Sequence, residues 1–263
     1  MKPLLLEDQM GRQLCLKQPL SRIVSLNPSQ TETLVDLGLE HHIVGLTKFC
    51  VHPFHLRQSK TIVGGTKKVD FAKIRHLQPD IILCNKEENT KEMVDTLAKE
   101  YPVHVTNVSN LQDALEMIHH YGQLFNCPKE AQKLCNRILS EKTEFESLIK
   151  KNEPKRVAYF IWKNPWMVCG GGTFINDMLQ LNGYKNAFGD SERYPEVNLD
   201  DLKRHAVDLV LLSSEPYPFK EKNKVELEKH LGIHVKLVDG TYFSWYGSRL
   251  KDAFRYFRSL HGH

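Results

Sequence analysis

The segment FAKIRHLQPDIILC, which begins at Phe71, returns in altered form near position 200 as LDDLKRHAVDLVLL. With Ala72 set against Asp200, Ile74 meets Leu202, Arg75 meets Lys203 and Asp80 meets Asp208. Each copy reads as a short amphipathic helix, a turn, and a run of branched apolar residues too short for a second helix. That is the pattern of a helix feeding a buried strand. A chain that makes this unit twice is confined to architectures with two like halves.

Around both copies strands and helices alternate. RIVSL, HIVGLT, DIILC and VHVTNV read as strands of the first half, interleaved with helices in SQTETLVDLGL, FAKIRHL and TKEMVDTLAKE and closed by LQDALEMIHHYGQLF. The second half runs RVAYFIW, DLVLLS and IHVKLV as strands, with helices in TFINDMLQLNG, LDDLKRH, KVELEKHL and SRLKDAFRYFRSL. Such alternation predicts parallel sheets covered by helices on both faces. Ser29 and Glu32 have the spacing of a capping box, and Gly38 sits where that helix stops. Between the halves, Cys127 to Glu153 contains no Gly or Pro after Pro128, and Leu134, Ile138, Phe145 and Leu148 fall near one stripe. A helix of about 23 residues there reaches roughly 35 Å, the width of a small domain. The expected fold is α/β: two similar lobes, each a parallel sheet flanked by helices, joined by one long helix. The expected boundaries are 1–126 for the first lobe, 127–153 for the connecting helix and 154–263 for the second lobe, with a cleft between the lobes.

A chain of 263 residues suffices for two lobes with real cores. Lys plus Arg number 36 against 32 Asp plus Glu, an excess too small and too scattered for a nucleic-acid partner. The longest apolar runs, such as VDLVLL, fall far short of the ~20 residues of a membrane span. The N-terminus MKPLLLEDQM lacks the apolar stretch of a secretory signal, so the sequence as written reads as cytoplasmic. The six cysteines (Cys15, Cys50, Cys84, Cys127, Cys135 and Cys169) are widely spaced without a CxxC, and are expected to be free thiols.

Parallel sheets bind ligands at the loops beyond the carboxyl ends of their strands. Those loops read NPSQ, KFCVHP and CNKEEN in the first half, and WKNPWMVCGGG, DSERYPEV and DGTYFSWYGSR in the second. Aromatics there suit stacking on a large flat ligand, while Lys48, Lys86, Lys163, Arg193 and Arg249 suit its anionic groups. The candidate ligand-binding residues are Phe49, Cys50, Asn85, Lys86, Trp162, Trp166, Tyr194, Tyr242, Trp245 and Arg249. A packing role for some of them stands beside that reading. No HExxH, GxSxG or phosphate-loop motif occurs, so no catalytic residue is assigned and the chain reads as a binding protein rather than an enzyme. GGGTFIND reads as a tight turn with Thr173 or Asn176 near a helix cap, since it lacks the lysine of a phosphate loop. Cys50, His52 and His55 offer three of the four ligands a tetrahedral zinc needs, with no fourth nearby, and no metal site is assigned. Cys50 or His52 remains an option as axial ligand to the metal of a bound chelate. The pairs His41–His42 and His119–His120 read as solvated helix ends, and His261 and His263 as a frayed tail.

At RIVSLNPSQTETLVDLG, LQPDIIL and FSWYGSR the chain resembles the periplasmic binding proteins of the vitamin B12 and iron-siderophore importers, the helical-backbone or class III type. DQMGRQLCLKQPLSRIVSL, from Asp8, resembles the D-x-x-G-R lead-in of those proteins, and the likeness covers nearly the whole chain. The resemblance implies a metal chelate (a corrinoid, a ferric siderophore or haem) held between two lobes by loop aromatics. Phe49, Trp162, Trp166, Tyr194 and Trp245 occupy comparable places. It implies no intrinsic cofactor, an ABC permease as partner, and a periplasmic or lipid-anchored location; a monomer is expected. Family members present one glutamate per lobe to arginines of the permease. Here the first place holds Ala72 and the second Asp200, so docking on a permease is expected to be impaired. An intracellular protein or enzyme that handles a corrinoid or metal cofactor is the alternative.

Overall fold

The branched run at the end of the first repeat copy, Ile81–Asn85, is a fully buried strand in the computed structural model, which describes residues 4–149 and 154–262 of the chain. Its counterpart in the second copy, Leu209–Ser213, is equally buried. The chain divides into two units. One comprises Met1–Val108, Gln112–Ser140 and Tyr246–Lys251, the other Ser109–Leu111, Glu141–Trp245 and Asp252–His263.

In the first unit an antiparallel hairpin of β1 (Leu4–Glu7) and β2 (Gln13–Leu16) precedes a five-stranded sheet. The sheet holds β3 (Ile23–Ser25), β4 (Ile43–Leu46), β5 (Thr61–Ile62), β6 (Ile81–Asn85) and β7 (Val103–Thr106) in the order β5-β4-β3-β6-β7, every neighbour parallel. The helices are α1 (Pro28–Asp36), α2 (Leu56–Ser59), α3 (Phe71–Leu77), α4 (Lys91–Leu97) and α5 (Leu111–Leu124). Helix α6 (Pro128–Leu148) has 21 residues and supplies those up to Ser140 to the first unit and the rest to the second. Residues 150–153 of the expected connecting helix lie outside the described residues.

The second unit has β8 (Arg156–Trp162), β9 (Met167–Val168), β10 (Lys185–Asn186), β11 (Leu209–Ser213) and β12 (His234–Val238). They form a parallel sheet in the order β10-β8-β11-β12, with β9 antiparallel to β8. Its helices are α7 (Phe174–Leu181), α8 (Asp201–Arg204), α9 (Glu221–Leu231), α10 (Thr241–Ser244) and α11 (Leu250–Leu260), the last beginning in the first unit. Among the described residues no helix is long and apolar enough to cross a membrane.

The repeat has a physical basis. Ile74 and Ile82 lie in the apolar core of the first unit, and their counterparts Leu202 and Val210 lie in that of the second. The shared aspartate makes the same latch twice. Asp80 donates its N–H to the Arg22 carbonyl at 2.8 Å and accepts the Arg22 N–H at 2.9 Å, while Arg22 Nε donates to the Leu77 carbonyl at 3.0 Å. Asp208 donates to the Arg156 carbonyl at 2.8 Å and accepts the Arg156 N–H at 2.8 Å, while Arg156 Nε donates to the His205 carbonyl at 2.8 Å. In each unit the arginine that opens the central strand thus satisfies a carbonyl left open at the end of the repeat helix.

Beside this symmetry, the first unit takes in a piece from far along the chain. Ser248 donates its N–H to Thr33 Oγ1 at 3.1 Å, Arg249 forks onto Glu32 at 2.9 and 2.7 Å, and Lys251 reaches Asp36 at 2.6 Å, all on α1. Glu32 is therefore not part of the expected capping box. Asn27 caps α1 instead, its side chain accepting the Gln30 N–H at 3.1 Å.

The lead-in Asp8–Arg12 closes the β7 edge of the five-stranded sheet. Gly11, at φ +74°, donates to the Asp8 carbonyl at 2.9 Å and turns the chain so that Arg12 folds back on Asp8. Asp8 accepts the Val105 N–H at 2.9 Å, and Arg12 Nη2 donates to the Val103 carbonyl at 2.5 Å. Both partners lie on β7, an edge strand, whose outer N–H and C=O groups have no neighbouring strand in the sheet to pair with.

The six cysteines are thiols, Cys15 exposed and the other five buried. Two histidine expectations are corrected. His120 lies within α5 rather than at a solvated end, its ring 6.0 Å from that of buried His104. His261 is not frayed: it stacks on Tyr184 with ring centroids 5.4 Å apart. His263 lies outside the described residues.

Candidate functional site

In the first unit the loops beyond β3, β5 and β6 are tied together by one amide. Asn89 accepts the Asn85 N–H at 2.7 Å and donates to the carbonyls of Leu26 (3.2 Å) and Thr66 (2.8 Å). Lys48 donates its N–H to the Gly64 carbonyl at 2.8 Å, joining the β4 loop to a tight turn in which Gly65 donates to Lys68 at 2.8 Å. Between them lies a groove of about 730 Å³ lined by Lys48, Phe49, Lys67 and Lys68. Phe49 keeps 49% of its surface exposed, with the Lys48 ammonium 5.1 Å from its ring centre.

The other sequence candidates of this unit are placed differently. Asn85 is buried: its side chain accepts the Glu87 and Glu88 N–H groups at 2.9 and 3.1 Å and donates to Thr106 Oγ1 at 3.2 Å, so it shapes the loop. Lys86 is exposed. Cys50 is fully buried with its sulfur 3.1 Å from Thr31 Oγ1 and 3.3 Å from Thr47 Oγ1, and burial pushes its thiol pKa up, so it presents no thiolate to a ligand metal. His55 turns away to Glu40 at 2.8 Å, which separates it from Cys50 as a metal ligand. Arg249, with its fork on Glu32, is a structural ion pair rather than a free cation.

In the second unit the carboxyl ends of β8 and β11 carry a row of aromatic rings. Trp162, 39% exposed, meets Tyr217 edge to face at 5.6 Å. Tyr217 lies 4.6 Å from Phe219, which lies parallel to Trp166 at 6.1 Å, and Trp166 meets Phe160 at 5.4 Å. The Lys163 ammonium sits 5.0 Å from the Trp166 ring and bonds Glu226 at 2.7 Å. Trp162 and Trp166 are thus brought into one row by Tyr217 and Phe219, which the sequence reading missed. The prolines of SSEPYPFK gave that segment the look of a connector, and the only signal was two aromatics just past a buried strand.

The glycines of CGGG serve close backbone approach. Gly170 and Gly171 donate to the carbonyls of Arg193 and Ser191, both at 2.7 Å, and a Cβ on Gly170 would collide with the Ser191 carbonyl. Their amides are therefore not open to an anion. Thr173 caps α7, accepting the Asn176 N–H at 3.2 Å, as the spacing predicts. Tyr194 follows on the paired segment and is half-buried.

Trp245 and Tyr242 turn inward. Trp245 is 7% exposed and its indole donates to Glu215 Oε1 at 2.9 Å, the oxygen that also accepts the Ser244 hydroxyl at 2.5 Å. Tyr242 stacks on Tyr256 at 4.6 Å. Trp245→Ala is accordingly expected to lower stability by about 3–5 kcal/mol, the range for truncating a buried tryptophan. A melting temperature within 2 °C of the parent protein would return Trp245 to the exposed wall. Ala72 is exposed in the first turn of α3, and Asp200 is exposed at the start of α8, its side chain making no cap bond.

Residues 23–231, well over half of the chain, match the family profile described as periplasmic binding protein. The chain belongs to this family. An uncharacterized ABC transporter substrate-binding lipoprotein of Bacillus subtilis is 27% identical over 197 residues, 72% of this chain, and the chain spans only 62% of that relative's length. A vitamin B12-binding protein of Vibrio parahaemolyticus is 21% identical over 188 residues, 70% of this chain and 68% of its own. Among solved structures, a possible iron-binding periplasmic solute-binding protein of Staphylococcus epidermidis superposes with a TM-score of 0.78 at 22% identity, covering 92% of this chain and 98% of that one. The fold is that of a class III periplasmic binding protein, as the sequence motifs imply.

Proposed function

We propose that this periplasmic binding protein captures a metal chelate, a corrinoid or an iron complex such as a ferric siderophore or haem, as a monomer serving an ABC importer. The observation that carries the reading is the exposure of Phe49, on the loop beyond β4, and of Trp162, the last residue of β8, both at carboxyl ends of parallel strands in a chain of this family. Large half-exposed aromatics lose water on stacking against a flat ligand, and rigid rings lose little entropy in doing so. The B12-binding relative and the iron-binding structural neighbour support the ligand class. A protein of this kind acts by binding and release, without a chemical step. A permease arginine arriving at exposed Ala72 meets no carboxylate at that position and has Lys73 beside it, so docking at this point is expected to be weak.

The test is titration with cyanocobalamin, haemin and ferric siderophores, followed by tryptophan fluorescence. Saturable 1:1 quenching by one of them at micromolar concentration is expected, and quenching by none defeats the proposal. Trp162→Ala should then weaken that ligand by about 1–3 kcal/mol, the range for one stacked aromatic, with the melting temperature unchanged. Equal affinity of parent and variant would remove Trp162 from the site.

A further inference from the structure

Taken together with the proposed function, on which this step rests, the groove of the first unit names the electrical character of the ligand. We infer that the groove between the β4 loop and the 64–69 turn selects an anionic aromatic chelate, one bearing carboxylates or catecholates, over a neutral corrinoid. Three ammonium groups, Lys48, Lys67 and Lys68, line it against one carboxylate, Asp70. That carboxylate is occupied: Asp70 caps α3, accepting the Lys73 N–H at 3.0 Å. Glu88, on the neighbouring loop, turns to Asn27 Nδ2 at 2.6 Å. The lining itself thus carries three positive charges against one negative, although the whole chain carries a formal charge of only +4.

One of the cations is also held in place. Lys67 Nζ donates to the Glu87 carbonyl at 2.7 Å, and the Thr66 carbonyl at the turn is pinned by Asn89 at 2.8 Å. A prearranged cluster of like charges costs little reorganisation when an anion arrives. Half-exposed Phe49, with Lys48 beside its ring, supplies the apolar face an aromatic chelate needs. A ferric catecholate or a carboxylate-bearing macrocycle presents both features, negative charge together with flat aromatic surface. Cobalamin, neutral overall, presents a flat body rimmed by amides with a single phosphodiester, and would leave most of the ammonium groups to lose water without an anionic partner.

The experiment measures affinities of haemin, a ferric tris-catecholate and cyanocobalamin for the full chain and for Lys48→Gln and Lys68→Gln, at low and high salt. One of the two anionic probes should bind at least ~10-fold tighter than cyanocobalamin, and which of them does so identifies the source of the charge. Each substitution should weaken that probe about 3- to 10-fold, and raising the salt should do the same, because the groups are exposed and screened. Cyanocobalamin binding tightest, or an anionic probe indifferent to both substitutions, would overturn the inference while the proposed function stands. No binding by any probe would overturn both. Melting curves of the variants, which touch exposed side chains, verify that each is folded.

Discussion

Asp8→Ala is expected to destabilise the protein by about 2–4 kcal/mol, the cost of taking the acceptor away from three backbone N–H groups and from Arg12. The Asp8 side chain is fully inaccessible. It accepts the backbone N–H groups of Met10 and Arg12 at 3.0 Å and of Val105 at 2.9 Å, and Nε and Nη2 of Arg12 at 2.9 and 2.7 Å. Burial alone would raise its pKa, but the bonds from Arg12 and the Val105 and Arg12 amides together hold it below the usual carboxylate range. The alanine variant strands those donors and leaves Arg12 beside a β7 edge it no longer grips from both sides. Urea unfolding followed by circular dichroism measures the loss, and a change below about 1 kcal/mol would refute the account.

Acidification should give the second large effect. His104, on β7, is fully buried, and neither ring nitrogen has a hydrogen-bond partner among the described residues. Burial, aided by neighbouring His120 and Arg12 and opposed by Asp8, pushes its pKa down from 6.5 to about 3. The unfolded chain therefore takes up a proton near pH 6.5 that the folded chain refuses until about pH 3. The stability this neutral ring contributes is present above pH 6.5 and falls as the pH is lowered, by about 1.4 kcal/mol per pH unit. Half-buried His120, also lowered by desolvation, adds to the slope, and Asp8 takes over only below its ordinary pKa of 3.8. His104→Leu should flatten the decline between pH 6 and 4 and cost little at pH 7, because a side chain without partners is exchanged for an apolar one. Identical slopes for the two proteins would show that another group controls acid unfolding.

The two halves were legible in the sequence because Ile74 and Leu202, Ile82 and Val210, and Asp80 and Asp208 do the same work twice, and buried apolar spacing is a local signal. The latching arginines lie outside the repeated stretch, so the aspartates were visible and their purpose was not. The site was less legible because a position just past a strand does not say which way a side chain turns. Phe49 and Trp162 point outward, whereas Cys50 and Trp245, on the same kinds of loop, point inward to hydroxyls and to Glu215. Arg249 looked like a free cation because Glu32, which neutralises it, stands 217 positions away. Tyr217 and Phe219 were hidden by the prolines around them.

The strap Tyr246–Lys251 also bears on how the protein is made. The first unit has all its other residues once Ser140 has been added, but the strap is complete only at Lys251, 251 − 140 = 111 residues later. At about 5–20 residues per second, the growing chain spends roughly 6–22 s in that interval. Throughout it, α1 carries Glu32 and Asp36 without Arg249 and Lys251, and Thr33 lacks the Ser248 amide. The half that leaves the ribosome first thus waits for a strap from far along the chain, and it reaches its final state only once Lys251 has been added.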